Sequence, residues 1–268
     1  MSDRVSVSIE NGIADVRMVR ADKLNAIDQA MFEALVETGR ALCEDPSLRA
    51  VVLSGEGRAF CAGLDVSSFQ AMVDRSGSGG RRFFERGEES PANRAQRAAW
   101  VWKEVPVPVI AAIHGVAYGG GLQIALGADL RLVAPDAKLS VREVHWGLVP
   151  DMSGTQTLRH LVRLDVAKEL TYTARIVSGT EAVALGLATR TSERPREEAL
   201  ELAAEIASRS PDAVRAAKRL LDAAVVSGVE EGLRLEEKIQ GSLIGRPNQV
   251  EAALANIERR PPRFRDPA

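Results

Sequence analysis

An apolar strand that runs through three consecutive glycines straight into an apolar helix constrains this chain more than any other feature. The stretch extends from Ala111 to Asp129 and reads AAIHGVAYGGGLQIALGAD. Gly119, Gly120 and Gly121 carry no Cβ, so the backbone can turn sharply and a ligand can come against the main chain. The first N–H groups of the following helix have no partner inside the helix, and the helix dipole adds positive potential there. Such a junction suits negative charge, whether bound or developing during a reaction. Close packing alone would also account for an isolated glycine triplet. A second junction shifts the balance: residues 58–65, RAFCAGLD, again end a strand in small residues and a glycine, which frees the N–H of Leu64. Two such donors, at Leu64 and Gly120, converge on one oxygen if their strands are neighbours.

The surrounding pattern supplies neighbouring strands. Residues 5–9 alternate apolar and polar, Asn11-Gly12 signals a hairpin, and residues 13–19 resume the strand pattern. Asp28 can cap a helix over about 29–43, which Asp45-Pro46 ends. A buried strand at 50–53, a strand from Val107 to Ile113, a helix over about 120–127 and a strand from Leu130 to Val133 follow, an alternation that implies stacked βα units. After about residue 195 the pattern is helical, with Pro195, Pro211 and Pro247 near helix starts. The chain therefore divides into an α/β core over 1–194 and a helical C-terminal region over 195–268. Between Ser67 and Ala99 regularity fails; SGSGG at 76–80 suits a flap over a substrate or an ordinary surface loop.

Composition narrows the partners. Lys and Arg number 35 against 37 Asp and Glu, without a long block of one sign, which gives little reason to expect nucleic acid. Cys43 and Cys61 lack CxxC spacing and fit a reducing, cytoplasmic setting. The N-terminal residues lack the apolar core of a signal peptide. The most apolar segment, Val105 to Ala117, is too short and too interrupted to span a membrane, so a soluble protein is expected. No metal-ligand spacing appears, nor a Walker A or GxGxxG pattern.

FCAGLD followed about fifty residues later by IAAIHGVAYGGG closely resembles the crotonase, or enoyl-CoA hydratase/isomerase, family. ADKLNAI at 21–27, WGLVPDMSGTQTL at 146–158 and ARIVSGTEAVALGLATR at 174–190 extend the resemblance over nearly the whole chain. It implies an α/β crotonase (ClpP/crotonase-like) fold of repeated ββα units. The helical C-terminal region would then serve trimerisation or form a lid, in a homotrimer or dimer of trimers. It also implies an acyl-CoA substrate, coenzyme A being part of that substrate and no separate cofactor. The N–H groups of Leu64 and Gly120 would hold the thioester oxygen. Ala62, Asp65, Lys23 and Arg265 would lie along the bound molecule.

Proton transfer needs a side chain, and here the chain departs from the commonest members. Of the two glutamates that position water in typical hydratases, the first aligns with Gln123 and the second with Glu143. Glutamine can hold water or substrate by hydrogen bonding but cannot accept a proton at neutral pH. Asp151, eight residues after Glu143, looks like the second carboxylate of the dienoyl-CoA isomerases. The expected activity is therefore double-bond isomerisation by Glu143 with Asp151. Alternatives are hydration by Glu143 alone and a non-catalytic acyl-CoA-binding scaffold. A helix cap at the Met152–Gly154 turn is the competing reading for Asp151, and an ion pair with Arg142 that for Glu143. His145 would face the same side as Glu143 on an extended strand. His114 and His160 read as packing or hydrogen-bonding residues, and Cys61 has no basic partner to make it a nucleophile. Trp100 or Trp102 would join the 67–99 segment in shaping the acyl pocket.

Overall fold

A computed structural model describes residues 3–68, 85–87 and 90–267. The opening hairpin pairs β1 (Val5–Glu10) with β2 (Ile13–Met18) in antiparallel register. Asn11 and Gly12 both take positive φ, 52° and 76°, as a two-residue turn of this hand requires. α1 (Gln29–Glu44) starts where Asp28 Oδ1 accepts the Met31 N–H at 2.8 Å, and its core-facing residues include Met31, Leu35 and Leu42.

The remaining strands of the larger sheet are parallel. Its order is β1-β2-β3-β4-β6-β9, with β3 (Ala50–Gly55), β4 (Val109–Ile113), β6 (Leu130–Val133) and β9 (Arg190–Thr191). β3 and β4 are buried on both faces, which is why they read as unbroken apolar runs. Val51, Leu53, Val109, Ala111 and Ile113 belong to the main core, with Trp102 of α2 (Arg94–Glu104). Ala50, Val52, Ile110 and Ala112 form a second core with Ala199 and Ala203 of α7 (Pro195–Ala207). The domain boundary expected at 194 thus falls just before a helix that covers the sheet.

A smaller sheet joins β5 (Val116–Tyr118), β7 (Lys138–Ser140) and β8 (Val177–Ser178). Cys61 adds a parallel bridge to Ala117 at its edge. β4 and β6 of the large sheet each hand over to a strand of the small sheet and then to a helix. β4, β5 and α3 (Gly120–Gly127) make one such unit; β6, β7 and α4 (Gly154–Leu161) make the next. This is the expected crotonase fold.

After α4 come α5 (Leu164–Thr173), α6 (Gly179–Leu185) and α7, then α8 (Pro211–Ala224), α9 (Val229–Leu243) and α10 (Pro247–Glu258). Proline sits in the first turn of α7, α8 and α10. Two local expectations fail. The strand expected from Val107 starts at Val109, since Pro108 has no N–H for the ladder. Glu143–Trp146 is a 3-10 helix, so Glu143 is buried while His145 faces solvent, and the two do not share a face. Among the described residues no helix is long and apolar enough to cross a membrane. Most of the 67–99 segment, including 69–84, lies outside the described residues.

Candidate active site

The small sheet brings three separate loops to one place. Cys61 pairs in parallel with Ala117, and Ala117 with Leu139, so the chain leaves three aligned positions in the same direction. Gly63-Leu64, Gly119-Gly120 and Arg142-Glu143 follow them. A crevice beyond the carboxyl ends of parallel strands is the usual place for a ligand in sheets of this type.

The first loop is held by its neighbours. Ile27 donates to the Gly63 carbonyl at 2.8 Å and accepts from Asp65 at 3.0 Å, which turns the intervening Leu64 N–H away from residue 27. Leu24 and Asn25 are both left-handed, with φ of 51° and 55°. Asn25 is fully buried; its side chain accepts from Arg20 N–H and donates to the carbonyls of Glu56 and Ala59. Arg20 also donates to the Ala26 carbonyl and to Asp65 Oδ2 at 2.5 Å. Asp65 Oδ1 accepts from the Ser67 N–H and hydroxyl. These bonds, those from Ser67 first and Arg20 after, hold the Asp65 carboxyl down at about 2. Asp65 is thus engaged within the protein, as a brace for the loop. Asn25 carries a sequence signal for this turn, since asparagine tolerates positive φ, but neither Leu24 nor Arg20 does.

The second loop is held by its own backbone. Gly119 has φ 51° and ψ −121°, a conformation open to glycine alone, and is followed directly by α3. Gly63 and Gly120 adjoin: a Cβ on Gly63 would stand 3.7 Å from the Gly120 nitrogen. A Cβ on Gly120 would meet Met152 Sδ at 2.9 Å and Ile27 Cδ1 at 3.1 Å. Among the described residues neither the Leu64 nor the Gly120 N–H has a hydrogen-bond partner.

Glu143, from the third loop, lies against this pair. Its Oε1 would be 3.3 Å from a Cβ on Gly119, and it accepts from Gln123 Nε2 at 2.6 Å. Its Oε2 is buried and has no partner among the described residues. Burial is the main cause that raises the Glu143 carboxyl above its ordinary value; hydrogen bonds from its own backbone and Gln123 oppose this, and the charge of Asp151 adds to it. Gln123 Oε1 accepts from the N–H groups of Met152 and Gly154, both at 2.8 Å. The helix-cap reading of Asp151 therefore fails, because a side chain of another helix occupies those donors. Asp151 is exposed, yet the protein around it raises its carboxyl through desolvation. No ion pair joins Glu143 to Arg142 among the described residues; the Arg142 guanidinium stands 5.4 Å from the Tyr118 ring centroid.

The other candidates separate. Ala62 is half-buried beside the first loop and donates its N–H to the Leu24 carbonyl. Lys23 is exposed at the end of the 3-10 turn Ala21–Lys23. Arg265 is exposed and lines a recess of about 760 Å³ with Lys103, Lys218, Arg246 and Asn248, a recess that none of the three loops lines. His114 Nε2 contacts the Gly57 carbonyl, and His160 lies on α4, exposed beside Arg159. Cys61 is fully buried and its thiol is pushed up to about 12, which rules out a thiolate. Trp102 is fully buried and donates to the Ala98 carbonyl, so it belongs to the core; Trp100 is half-buried. Among the described residues no cluster of His, Cys, Asp or Glu could hold a metal ion.

The chain matches the family described as enoyl-CoA hydratase/isomerase over residues 8–267. It is 32% identical over 262 residues to the mitochondrial methylglutaconyl-CoA hydratase of Mus musculus, covering 95% of this chain and 80% of that protein. It is 32% identical over 265 residues to the mitochondrial enoyl-CoA hydratase domain-containing protein 2 of Homo sapiens, covering 95% and 86%. The crystal structure of enoyl-CoA hydratase from Bacillus anthracis superposes with a TM-score of 0.89 at 29% identity, over 98% of this chain and 100% of that one.

Proposed function

The chain belongs to the enoyl-CoA hydratase/isomerase family of acyl-CoA enzymes, and from that premise we propose that it moves a double bond in an enoyl- or dienoyl-CoA. The thioester oxygen sits between the N–H groups of Leu64 and Gly120. Ionised Glu143 takes a proton from the carbon next to the thioester, and the electron pair flows into a dienolate whose charge rests on that oxygen. The same carboxyl then returns the proton at the γ-carbon, so no proton is gained or lost. Each oxyanion donor contributes about 3 kcal/mol to the barrier reduction.

One observation carries this reading: Glu143 has a buried oxygen without a partner among the described residues, while its neighbour at 123 is a glutamine that cannot take a proton. A 1,3 shift asks for one group that first accepts and then donates. Asp151, at the exposed side, serves as second carboxylate when the substrate is a diene. Ala62 and Lys23 border the thioester and coenzyme A portion; Arg265 lines a separate recess and is not assigned to it. A homotrimer or dimer of trimers belongs to the same reading, supported by Leu221 of α8, Val226 of the following connection and Val229 at the start of α9, all exposed; sedimentation tests it.

Hydration is the second reading, favoured by the names of the relatives. Glu143 would then take a proton from a water that attacks the β-carbon and return it to the α-carbon of the resulting enolate. Incubation with 2-enoyl-, 3-enoyl- and 3,5-dienoyl-CoA thioesters separates the two: isomerisation leaves mass unchanged and shifts the ultraviolet absorbance, whereas hydration adds the mass of water. Glu143→Gln is expected to abolish turnover and retain acyl-CoA binding. Retained turnover overturns both readings, and inertness of the native protein with tight binding favours a scaffold.

A further inference from the structure

Within that proposed chemistry, we infer that Gln123 is a positioning residue that ties the first turn of α4 to Glu143 and divides the carboxylate into one fixed and one working oxygen. Gln123 is 2% exposed, so its amide has only protein to bond. The amide's direction follows from its partners. Met152 and Gly154 present backbone N–H groups, which can only donate, so Oε1 faces them at 2.8 Å and Nε2 faces Glu143 at 2.6 Å. Gly154 makes room for this contact, since a Cβ there would stand 2.6 Å from Gln123 Oε1.

α4 has no cap from its own N-cap residue, Ser153, whose side chain makes no capping bond. Gln123 fills that place from α3 and passes the constraint on to Glu143 Oε1, which the Gly119 turn backs on its other side. Oε2 is left as the atom that can carry a proton. Side-chain amides that take two backbone donors and give one bond onward have a single arrangement, so Glu143 has one orientation relative to Leu64 and Gly120. Among the described residues the other titratable side chains on the loops around Glu143 are Asp151, Arg142, Tyr118, His145, Cys61 and Asp65; Asp151 acts on Glu143 by like charge.

Gln123→Glu tests the inference with almost no change of shape. The new carboxylate keeps one oxygen on the Met152 and Gly154 donors and sets the other against Glu143 Oε1. Two carboxylates so close must share a proton, which raises the titration of the pair. The carbon-13 resonance of the Glu143 carboxyl, assigned by its loss in Glu143→Gln, is expected to titrate at least tenfold lower in proton concentration than in the native protein. The acid limb of kcat/KM moves the same way, with KM within about twofold. Gln123→Ala, checked for folding by circular dichroism, is expected to lower kcat about 100-fold at unchanged KM, the cost of a loosened catalytic group. A Glu143 titration unmoved by Gln123→Glu overturns the inference, as does an unchanged kcat in Gln123→Ala. The resonance reads out even if no thioester is turned over, so failure of the catalytic reading remains distinguishable.

Discussion

At the Leu64 turn the backbone is held from outside, by Asn25, Arg20 and Asp65 on segments far away or adjacent in the chain. At the Gly120 turn no side chain does this among the described residues; backbone bonds from the Tyr118 and Gly119 N–H groups to the Cys61 and Ser140 carbonyls, a glycine-only conformation and the packing of α3 against Cys61 fix the same sort of free N–H. The first design is a polar network and the second a steric one. They differ in what damages them: loss of a side chain opens the first, and addition of one atom breaks the second.

The largest effect is expected at Asn25. Truncation to alanine leaves the Arg20 N–H and the Glu56 and Ala59 carbonyls unpaired and puts a Cβ-bearing apolar residue at φ 55°. The expected loss is about 4 kcal/mol in urea unfolding. Gly121→Ala attacks the other turn, because its Cβ would meet the Cys61 carbonyl oxygen at 2.4 Å and Sγ at 2.8 Å. The expected loss is about 3 kcal/mol by the same measurement, from overpacking. If Asn25→Ala costs nothing, the first turn is as steric as the second and the contrast fails.

This contrast also explains what could be read beforehand. The glycines of the second turn are visible as letters because a steric design writes itself into the residues that occupy the site. Gly63 and Leu64 were visible for the same reason. Arg20, and the bond from Gln123 to the Met152–Gly154 turn, were not, since a hydrogen bond between distant segments leaves no periodicity or spacing. Asp151 reads as a possible cap because a Pro-Asp pair before a helix has that local meaning; only the fold reveals that Gln123 holds the Met152 and Gly154 N–H groups. Spacing alone would put His145 beside Glu143 only on an extended strand, and that condition is not met because β7 stops at Ser140 and the chain tightens into a 3-10 turn.

Acid sharpens the comparison further. Asp65, held at about 2 by Ser67 and Arg20, binds its proton later than in the unfolded chain as pH falls. Its contribution, on the order of 1 kcal/mol after allowance for solvent screening, is complete above the ordinary carboxylate value of about 4 and is lost as pH drops toward 2. Glu143, beside the steric turn, is shifted the opposite way by burial, so the folded state holds its proton longer. Its contribution is complete below the ordinary carboxylate range and fades as pH rises through its raised value. Asp65→Asn is therefore expected to flatten the loss of stability in acid, and Glu143→Gln to raise stability at neutral pH. Unfolding free energies across pH 2–8 in each variant check both signs, and equal slopes in the two variants would sink the distinction.

The smallest effect lies where the two designs meet. Ser153 has φ 68° and a buried hydroxyl without a partner among the described residues, between the two N–H groups that Gln123 grips. Ser153→Gly relieves the left-handed strain, about 1 kcal/mol, and the unpaired hydroxyl, about 1 kcal/mol, but gives the unfolded chain up to about 1 kcal/mol of extra entropy. A net gain of about 1 kcal/mol or less is expected in urea unfolding, with kcat unchanged because Gln123 still orients Glu143. A loss of stability would mean that the hydroxyl is bonded in solution. A fall in kcat at constant stability would instead make the turn's rigidity, and not the amide of Gln123 alone, the element that keeps Glu143 in register with the two N–H donors.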